Sequence, residues 1–205
     1  DMQANVLGGQ RRGKAYAGDL AVDVRVDMER LAGARGLTFG VSSDWASGTS
    51  LSSDIGNMFN VAQAFVGSVV RLSNLYLQQS LLDGGLDVKA GRFSTGADFL
   101  TTPIDVSLVN ATLNPVVLAI QQNVPGVTAA PDTTWGGRVI ARPSGGLSLS
   151  VGAFYSNPTL NQLTANGTEF GISGSKGYFV IGEAAYRLNS ETGDTGLPGR
   201  YRAGG

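Results

Sequence analysis

The most constraining feature of this sequence is a stretch, residues 19–29, in which apolar and polar side chains alternate. Successive side chains of an extended strand point to opposite faces. One face of this stretch would therefore consist of Leu20, Val22, Val24, Val26 and Met28. The other face would consist of Asp19, Ala21, Asp23, Arg25, Asp27 and Glu29. The pattern predicts a strand with an apolar environment on one side and water on the other.

Seven further stretches show the same alternation more or less clearly. They predict strands over 37–45, 69–79, 86–93, 134–142, 146–155, 167–173 and 178–188, with a ninth strand beginning near Tyr201. The connections between the strands alternate in length. The short ones, rich in turn-forming residues, are 30–36, 80–85, 143–145 and 174–177. The long ones are 46–68, 94–133, 156–166 and 189–200.

Short turns at one end of the strands and long loops at the other are typical of an antiparallel, up-and-down transmembrane β-barrel. Because short and long connections alternate and a short one follows the first predicted strand, residues 1–15 are predicted to lie on the outer side of the membrane. Single-chain barrels of this kind have an even number of strands, so we expect at least ten. Residues 1–205 would then be a single partial barrel domain of about eight or nine strands, truncated at both ends.

The composition excludes several classes of function. Only 15% of the residues are charged, against about 25% in typical soluble domains, and the net charge of −1 offers no basic surface for nucleic acid. The chain contains no Cys and no His, which removes thiolate nucleophiles, histidine bases and cysteine–histidine zinc sites. We therefore predict a protein that is not an enzyme and has no cofactor or metal.

The aromatic residues fit a membrane protein. Trp45 and Trp135 would lie at the outer rim of the barrel together with Tyr16 and Tyr155, and Tyr178 would lie at the inner rim. Tyr and Trp favour a membrane interface because each has an apolar body and a polar tip.

Two long connections carry unusual apolar content. The loop 94–133 is too long for an ordinary connection, and its middle, residues 103–120, is apolar. We expect it to fold inward and narrow the pore, although it could instead cover the outer mouth or pack on a neighbouring subunit. The loop 46–68 has short helical character and is expected to behave in the same way.

Charged side chains on the polar faces of the predicted strands are the residues left that could act on a solute, and they include Asp23, Arg25 and Asp87. A cation facing lipid at the middle of a bilayer costs about 2–4 kcal/mol, so these side chains should face a wet lumen. The candidates for lining it are Lys89, Arg138, Arg142 and Glu183. Solvation alone, with no recognition of a solute, is the alternative for each of them.

Several segments resemble the carbohydrate-selective porins of the OprB family. They are 4–9 (ANVLGG), 44–48 (DWASG), 54–63 (DIGNMFNVAQ), 89–99 (KAGRFSTGADF), 181–183 (IGE) and 197–201 (LPGRY). The resemblance implies about the N-terminal half of a sixteen-stranded porin of the bacterial outer membrane, through which sugars diffuse passively. It makes Arg92 a candidate for the pore constriction and leaves Asp98 as a second one. Tyr76 could stack against a sugar ring.

The resemblance also implies the partners. They would be mono- or oligosaccharide solutes, with outer-membrane lipid and lipopolysaccharide around the barrel, and a homo-oligomer is possible. Two alternatives remain at this point: a soluble β-sandwich binding module, and a membrane-embedded hydrolase barrel whose catalytic residues lie outside this chain.

Overall fold

A computed structural model describes residues 1–58, 60–62, 67–101, 120, 123–124, 126–157, 159, 166–174, 176–189 and 193–205. Within these residues the chain forms one nine-stranded antiparallel sheet, in which each strand pairs with the next along the sequence. The strands are β1 (Met2–Asn5), β2 (Gly13–Asp27), β3 (Leu37–Gly48), β4 (Val69–Leu81), β5 (Leu86–Phe93), β6 (Thr134–Ala141), β7 (Leu147–Tyr155), β8 (Tyr178–Leu188) and β9 (Gly199–Gly204). The predicted all-β, up-and-down antiparallel order is confirmed.

The structure differs from the predicted strands in two places: one strand was missed and one prediction is wrong. Residues 2–5 form β1, which pairs with the first half of β2 and was not predicted. Residues 167–173 form no strand, so residues 156–177 are one long connection. As a result β8 runs in the direction opposite to that expected, and Tyr178 lies beside Tyr155 at the end of the sheet where the long connections are, rather than at the other rim.

The three longest connections, 49–68, 94–133 and 156–177, all lie at one end of the sheet, although the connection 6–12 at that end has only seven residues. Residues 6–12, 49–68, 94–133 and 156–177 connect strands at one end, called here the long-loop end. Residues 28–36, 82–85, 142–146 and 189–198 connect them at the other, called the short-turn end. The connection 189–198 was expected among the long outer loops. That prediction is wrong because residues 167–173 form no strand, which places this connection at the short-turn end.

A short helix, α1 (Met28–Ala32), fills the first connection at the short-turn end. The Asp27 carboxylate accepts hydrogen bonds from the backbone N–H groups of Glu29 and Arg30, which caps the start of the helix. Gly33 ends it with a φ of 70°, a left-handed conformation that glycine adopts without steric cost. Two more single-turn helices, α2 (Ser52–Ile55) and α3 (Thr95–Asp98), lie at the long-loop end.

One face of the sheet, the apolar face, is exposed. Its side chains include Leu20 at 57%, Val151 at 50% and Val180 at 70% exposure. All the described strands belong to one sheet, so within the described residues no second sheet covers these side chains. An exposed apolar surface that continues from β2 to β8 is far larger than the scattered apolar residues normal for a soluble surface.

Aromatic side chains border the apolar face at both ends. Tyr16, Trp45 and Tyr178 are more than half exposed near the long-loop end, and the cross-strand pair Tyr186 and Tyr201 is exposed near the short-turn end. Tyr178 and Tyr186 are separated by about 27 Å along β8 at about 3.4 Å per residue, or about 20 Å after a strand tilt near 40°. This spacing is close to the roughly 25 Å apolar band of outer-membrane barrels.

The buried core lies on the opposite face, called here the charged face. Its apolar cluster consists of Phe93, Phe99, Leu100, Val127, Phe154 and Ile181. Phe99, Leu100 and Val127 come from the connection 94–133, so described parts of that loop pack against the sheet. The middle of the loop and residues 63–66 lie outside the described residues. In the part of the chain that the structure describes, no helix is both long and apolar enough to cross a membrane.

Candidate functional site: a charged pore wall

A row of inward side chains crosses the middle of the charged face. Cross-strand pairing places Gln78 opposite Lys89, Lys89 opposite Arg138, and Arg138 opposite Gly152. Directly paired residues of an antiparallel sheet point to the same face. Strands β5 and β6, which the connection 94–133 separates in sequence, therefore bring one lysine and one arginine side by side.

Two carboxylates neutralise these cations. Lys89 Nζ lies 3.0 Å from Asp98 Oδ2, and Arg138 Nε lies 3.3 Å from Asp98 Oδ1. The Arg138 guanidinium also donates to Asp87, whose second oxygen accepts a hydrogen bond of 2.8 Å from Gln78 Nε2. We call Asp87, Lys89, Asp98 and Arg138 the wall cluster. None of its four side chains is more than 13% exposed, so each charge depends on its partners.

Aromatic rings hold the Lys89 ammonium from the other side. Its Nζ lies 4.5 Å from the centre of the Tyr76 ring and 4.3 Å from that of Phe93, within cation–π range. Phe93 packs edge-on against Phe154 with ring centres 5.4 Å apart. The lysine ammonium therefore lies between these two rings and the Asp98 carboxylate.

Residues 94–101, called here the loop stem, are fastened to the charged face by this cluster. Asp98 ends the short helix α3 of the stem, and the Phe99 ring lies 6.0 Å from Phe154. Phe99 can pack against the sheet here because position 152 is glycine. A Cβ at that position would lie 2.9 Å from the Phe99 ring. The returning part of the loop is held as well, since Ser94 Oγ donates to the Thr128 carbonyl at 2.9 Å.

A second ion pair holds the far end of the stem. The backbone N–H of Leu100 donates to Glu183 Oε2 at 3.1 Å, and Arg202 Nε lies 3.1 Å from Glu183 Oε1. The Arg202 guanidinium also donates to the Thr101 carbonyl. Strands β8 and β9 thus contact the same stem that β5 and β6 hold through Asp98.

The structure brings five of the seven sequence-predicted residues to the loop stem and its surroundings. Lys89 and Arg138 each form an ion pair with Asp98, Tyr76 covers Lys89, and Glu183 binds the end of the stem.

Arg92 and Arg142 lie elsewhere. Arg92 is fully buried, with its Nε donating to Thr133 Oγ1 at 2.9 Å, and its cross-strand neighbours are Leu75 and Trp135. Arg142 Nη1 donates to the Gly84 carbonyl at 3.0 Å at the short-turn end.

Sequence reasoning missed several members of the site. Asp87 was placed on the polar face but not among the candidates, although its phase in β5 matches that of Lys89. Arg202 was missed because β9 was expected only as a strand start, and nothing local connects it with Glu183. Sequence reasoning also missed the aromatic cluster of Phe93, Phe99 and Phe154. No single stretch of sequence could predict it, because its members come from β5, the loop stem and β7.

Comparison with known proteins agrees with this architecture. A family model described as carbohydrate-selective porin, OprB family, matches residues 11–205. Porin B of Pseudomonas aeruginosa is 30% identical over 213 residues, which cover 98% of this chain and 45% of Porin B.

Two solved structures of Pseudomonas putida OprB are also similar. The high-pH structure has a TM-score of 0.86 at 28% identity and covers 99% of this chain and 49% of its own. The low-pH structure has a TM-score of 0.54 at 20% identity, covers 94% of this chain and 48% of its own, and shares the fold. This chain thus spans about half the length of the relatives it matches. On the family match and the Porin B identity together, the chain belongs to the carbohydrate-selective porins of the OprB family.

Proposed function

We propose that this chain forms part of the wall and the constriction of an outer-membrane β-barrel through which saccharides diffuse passively, without catalysis or energy coupling. The observation that carries the proposal is the contrast between the two faces of one sheet. Exposed apolar side chains bounded by aromatic residues form one face, and the other holds buried charges and a folded-in loop stem. Hydrocarbon suits the first face, and a water-filled lumen suits the second.

The wall cluster has a positioning role in this proposal. Lys89 and Arg138 are 7% and 5% exposed, so their charged groups are occupied by Asp87 and Asp98 rather than presented to a solute. They hold the loop stem against the sheet and thereby set the width of the lumen. Pore width and the hydrogen-bonding groups that line it together decide which solutes pass.

Family membership supports sugars as the solutes, because the matching family model is described as carbohydrate-selective. Sugars need a wet path lined by hydrogen-bonding groups and require no charged partner. The exposed apolar face would contact outer-membrane lipid, including lipopolysaccharide in the outer leaflet.

Liposome swelling tests the proposal. The full-length protein reconstituted in liposomes should admit glucose faster than an amino acid of the same size, and its rate should fall steeply as sugar size rises from mono- to trisaccharide. Liposomes without protein give the background rate. Glucose entry no faster than that of the amino acid would contradict sugar selectivity, and entry no faster than background would contradict a pore.

A further inference from the structure

A glycine on the charged face makes room for a tyrosine ring of the wall. Gly40 of β3 lies directly opposite Tyr76 of β4, on the face that carries Lys89. A Cβ at position 40 would lie 2.6 Å from Cε1 of the Tyr76 ring and 2.7 Å from its hydroxyl oxygen. The ring therefore fills the space that any other side chain at position 40 would need. Glycine inside a strand often marks such a close approach of another group.

The backbone does not explain the glycine. Strands β3, β4 and β5 lie inside the sheet, each with a paired strand on both sides, and all of their residues are described. The φ angle of Gly40 is not among those in the left-handed region, so alanine could adopt the same backbone conformation. The position of the Tyr76 ring is what excludes a larger residue here.

The Tyr76 ring has little room to move toward β5. The Phe93 ring lies edge-on to it with ring centres 6.5 Å apart, and Phe93 is fully buried. The Lys89 ammonium lies 4.5 Å from the centre of the Tyr76 ring. Tyr76 itself is only half-buried. A ring pushed off Gly40 would therefore rise from the sheet toward the lumen.

Two other glycines of the charged face are placed in the same way. A Cβ at Gly136 would lie 2.9 Å from Cγ of Phe154, and a Cβ at Gly152 would lie 2.9 Å from the Phe99 ring. The aromatic rings of this face thus lie on bare strand backbone. A ring that lies flat on a strand takes up less of the lumen than one that stands above a side chain.

We propose that Gly40 is a positioning residue of the pore: it lets the Tyr76 ring lie against β3 and so sets the free width of the lumen beside the loop stem. This role rests on the function proposed above and deepens it, because pore width helps to decide which solutes pass. The ring lies next to the constriction, since Tyr76 contacts Lys89 and Lys89 pairs with Asp98 of the stem. Gly40 acts on the solute only through Tyr76.

Single-channel conductance and liposome swelling of the full-length protein test this role. In Gly40→Ala the added methyl group should lift the Tyr76 ring, so the conductance should fall. Disaccharide entry relative to glucose entry should fall by about twofold, because a narrower pore discriminates more strongly by size. A purely structural defect would lower the number of folded channels and leave the conductance of each channel unchanged.

Gly137→Ala is the matched control. It makes the same change in the same sheet, but Gly137 pairs with Ala90 on the apolar face. The Lys89 carbonyl oxygen, at 3.5 Å, is the neighbour that a Cβ there would meet. The conductance and the ratio of disaccharide to glucose entry should both stay at the values of the unmodified protein. If Gly40→Ala matches this control, or if its conductance rises, the positioning role is overturned.

Variants at Tyr76 test whether the ring carries the effect. Tyr76→Ala should raise the conductance because it removes the ring from the wall, and adding Gly40→Ala to it should cause no further change. A conductance that does not rise in Tyr76→Ala overturns the proposal even if Gly40→Ala does not fold. An equal loss from Gly40→Ala with and without the ring overturns it as well.

Glucose entry through the unmodified protein keeps this result apart from the proposed function. If glucose enters and the alanine at position 40 changes neither measurement, the role of Gly40 fails and the pore proposal stands. If glucose does not enter through the unmodified protein, the pore proposal itself fails.

Discussion

Replacing Val151 with lysine should strongly reduce insertion of the full-length protein into a bilayer, while the same change at the adjacent Ser150 should be tolerated. Val151 lies on the apolar face at 50% exposure, midway along β7 between residues near the two aromatic borders. A lysine at the midplane of a bilayer costs about 2–4 kcal/mol when it faces lipid. Ser150 points to the charged face, opposite Glu183, where a cation meets a carboxylate and water.

The measurement is the folding yield and the urea midpoint of both variants in liposomes. The pair is well matched because the two positions are neighbours on one strand and receive the same residue. We expect Val151→Lys to lower the free energy of unfolding by about 2–4 kcal/mol. The free energy of unfolding of Ser150→Lys should stay within about 1 kcal/mol of that of the unmodified protein. Equal losses in the two variants, or a larger loss at position 150, would mean that the apolar face does not contact lipid.

The second large effect is expected at Arg138. Replacing it with leucine leaves Asp87 and Asp98 without their shared cation in a site where both are at most 13% exposed. Removing one partner of a buried ion pair lowers the free energy of unfolding by about 3–5 kcal/mol, because the remaining charge is buried without a counter-charge. Arg142→Leu is the matched control, since this arginine is exposed and donates one hydrogen bond to the Gly84 carbonyl; its stability should change by about 0.5 kcal/mol or less.

A double variant separates loss of charge balance from loss of packing. Adding Asp87→Asn to Arg138→Leu removes the carboxylate that has lost its cation, since Asp98 still pairs with Lys89, and should recover part of the stability. The loop stem stays fastened to Lys89 through Asp98 in this variant, so the single-channel conductance should remain near that of the unmodified protein. Urea unfolding in liposomes and conductance in planar bilayers give the two readouts. Additive losses in the double variant would show that the cluster does not act through the balance of its charges.

The faces of the strands were predictable from the sequence because side-chain alternation is a local property. The phase of residues 19–29 places Leu20, Val22 and Val24 on the exposed face of β2, where the structure has them. The same rule separates Arg92 from Lys89, while the role of Arg92 in a pore constriction stays a prediction. Its phase in β5 is that of Val88 and Ala90 and is opposite to that of Lys89, and the structure pairs it with Leu75 and Trp135.

Alternation failed where a segment had the pattern but no strand to pair with. Phe170, in the predicted strand 167–173, packs against Trp135 with ring centres 5.6 Å apart. The backbone carbonyl of Asn166 accepts a hydrogen bond from the Leu72 N–H. The loop therefore contacts the long-loop end of the sheet without adding a strand to it. β1 was missed for the converse reason: it has four residues and too little pattern, and it forms because β2 extends to Gly13 and offers it an edge.

The contacts of the wall cluster could not be predicted, because they join residues distant in the chain. Asp98 and Arg138 are separated by the whole returning loop, and Glu183 meets Leu100 across an even longer separation. Alternation says which side of the sheet a residue occupies but not its register against a neighbour. Register is fixed by the turns and by packing of the whole sheet.

The central claim is that one face of this sheet touches hydrocarbon and the other borders water. Residues 1–205 contain no cysteine, so single cysteines at positions 20–25 can each carry a spin label in liposomes, in a full-length protein from which any cysteine outside these residues has been replaced. The account predicts that labels at 20, 22 and 24 are relaxed mainly by oxygen, which concentrates in lipid, and that labels at 21, 23 and 25 are relaxed mainly by a water-soluble nickel complex. Alternation with the opposite phase, or uniform accessibility at all six positions, would contradict it.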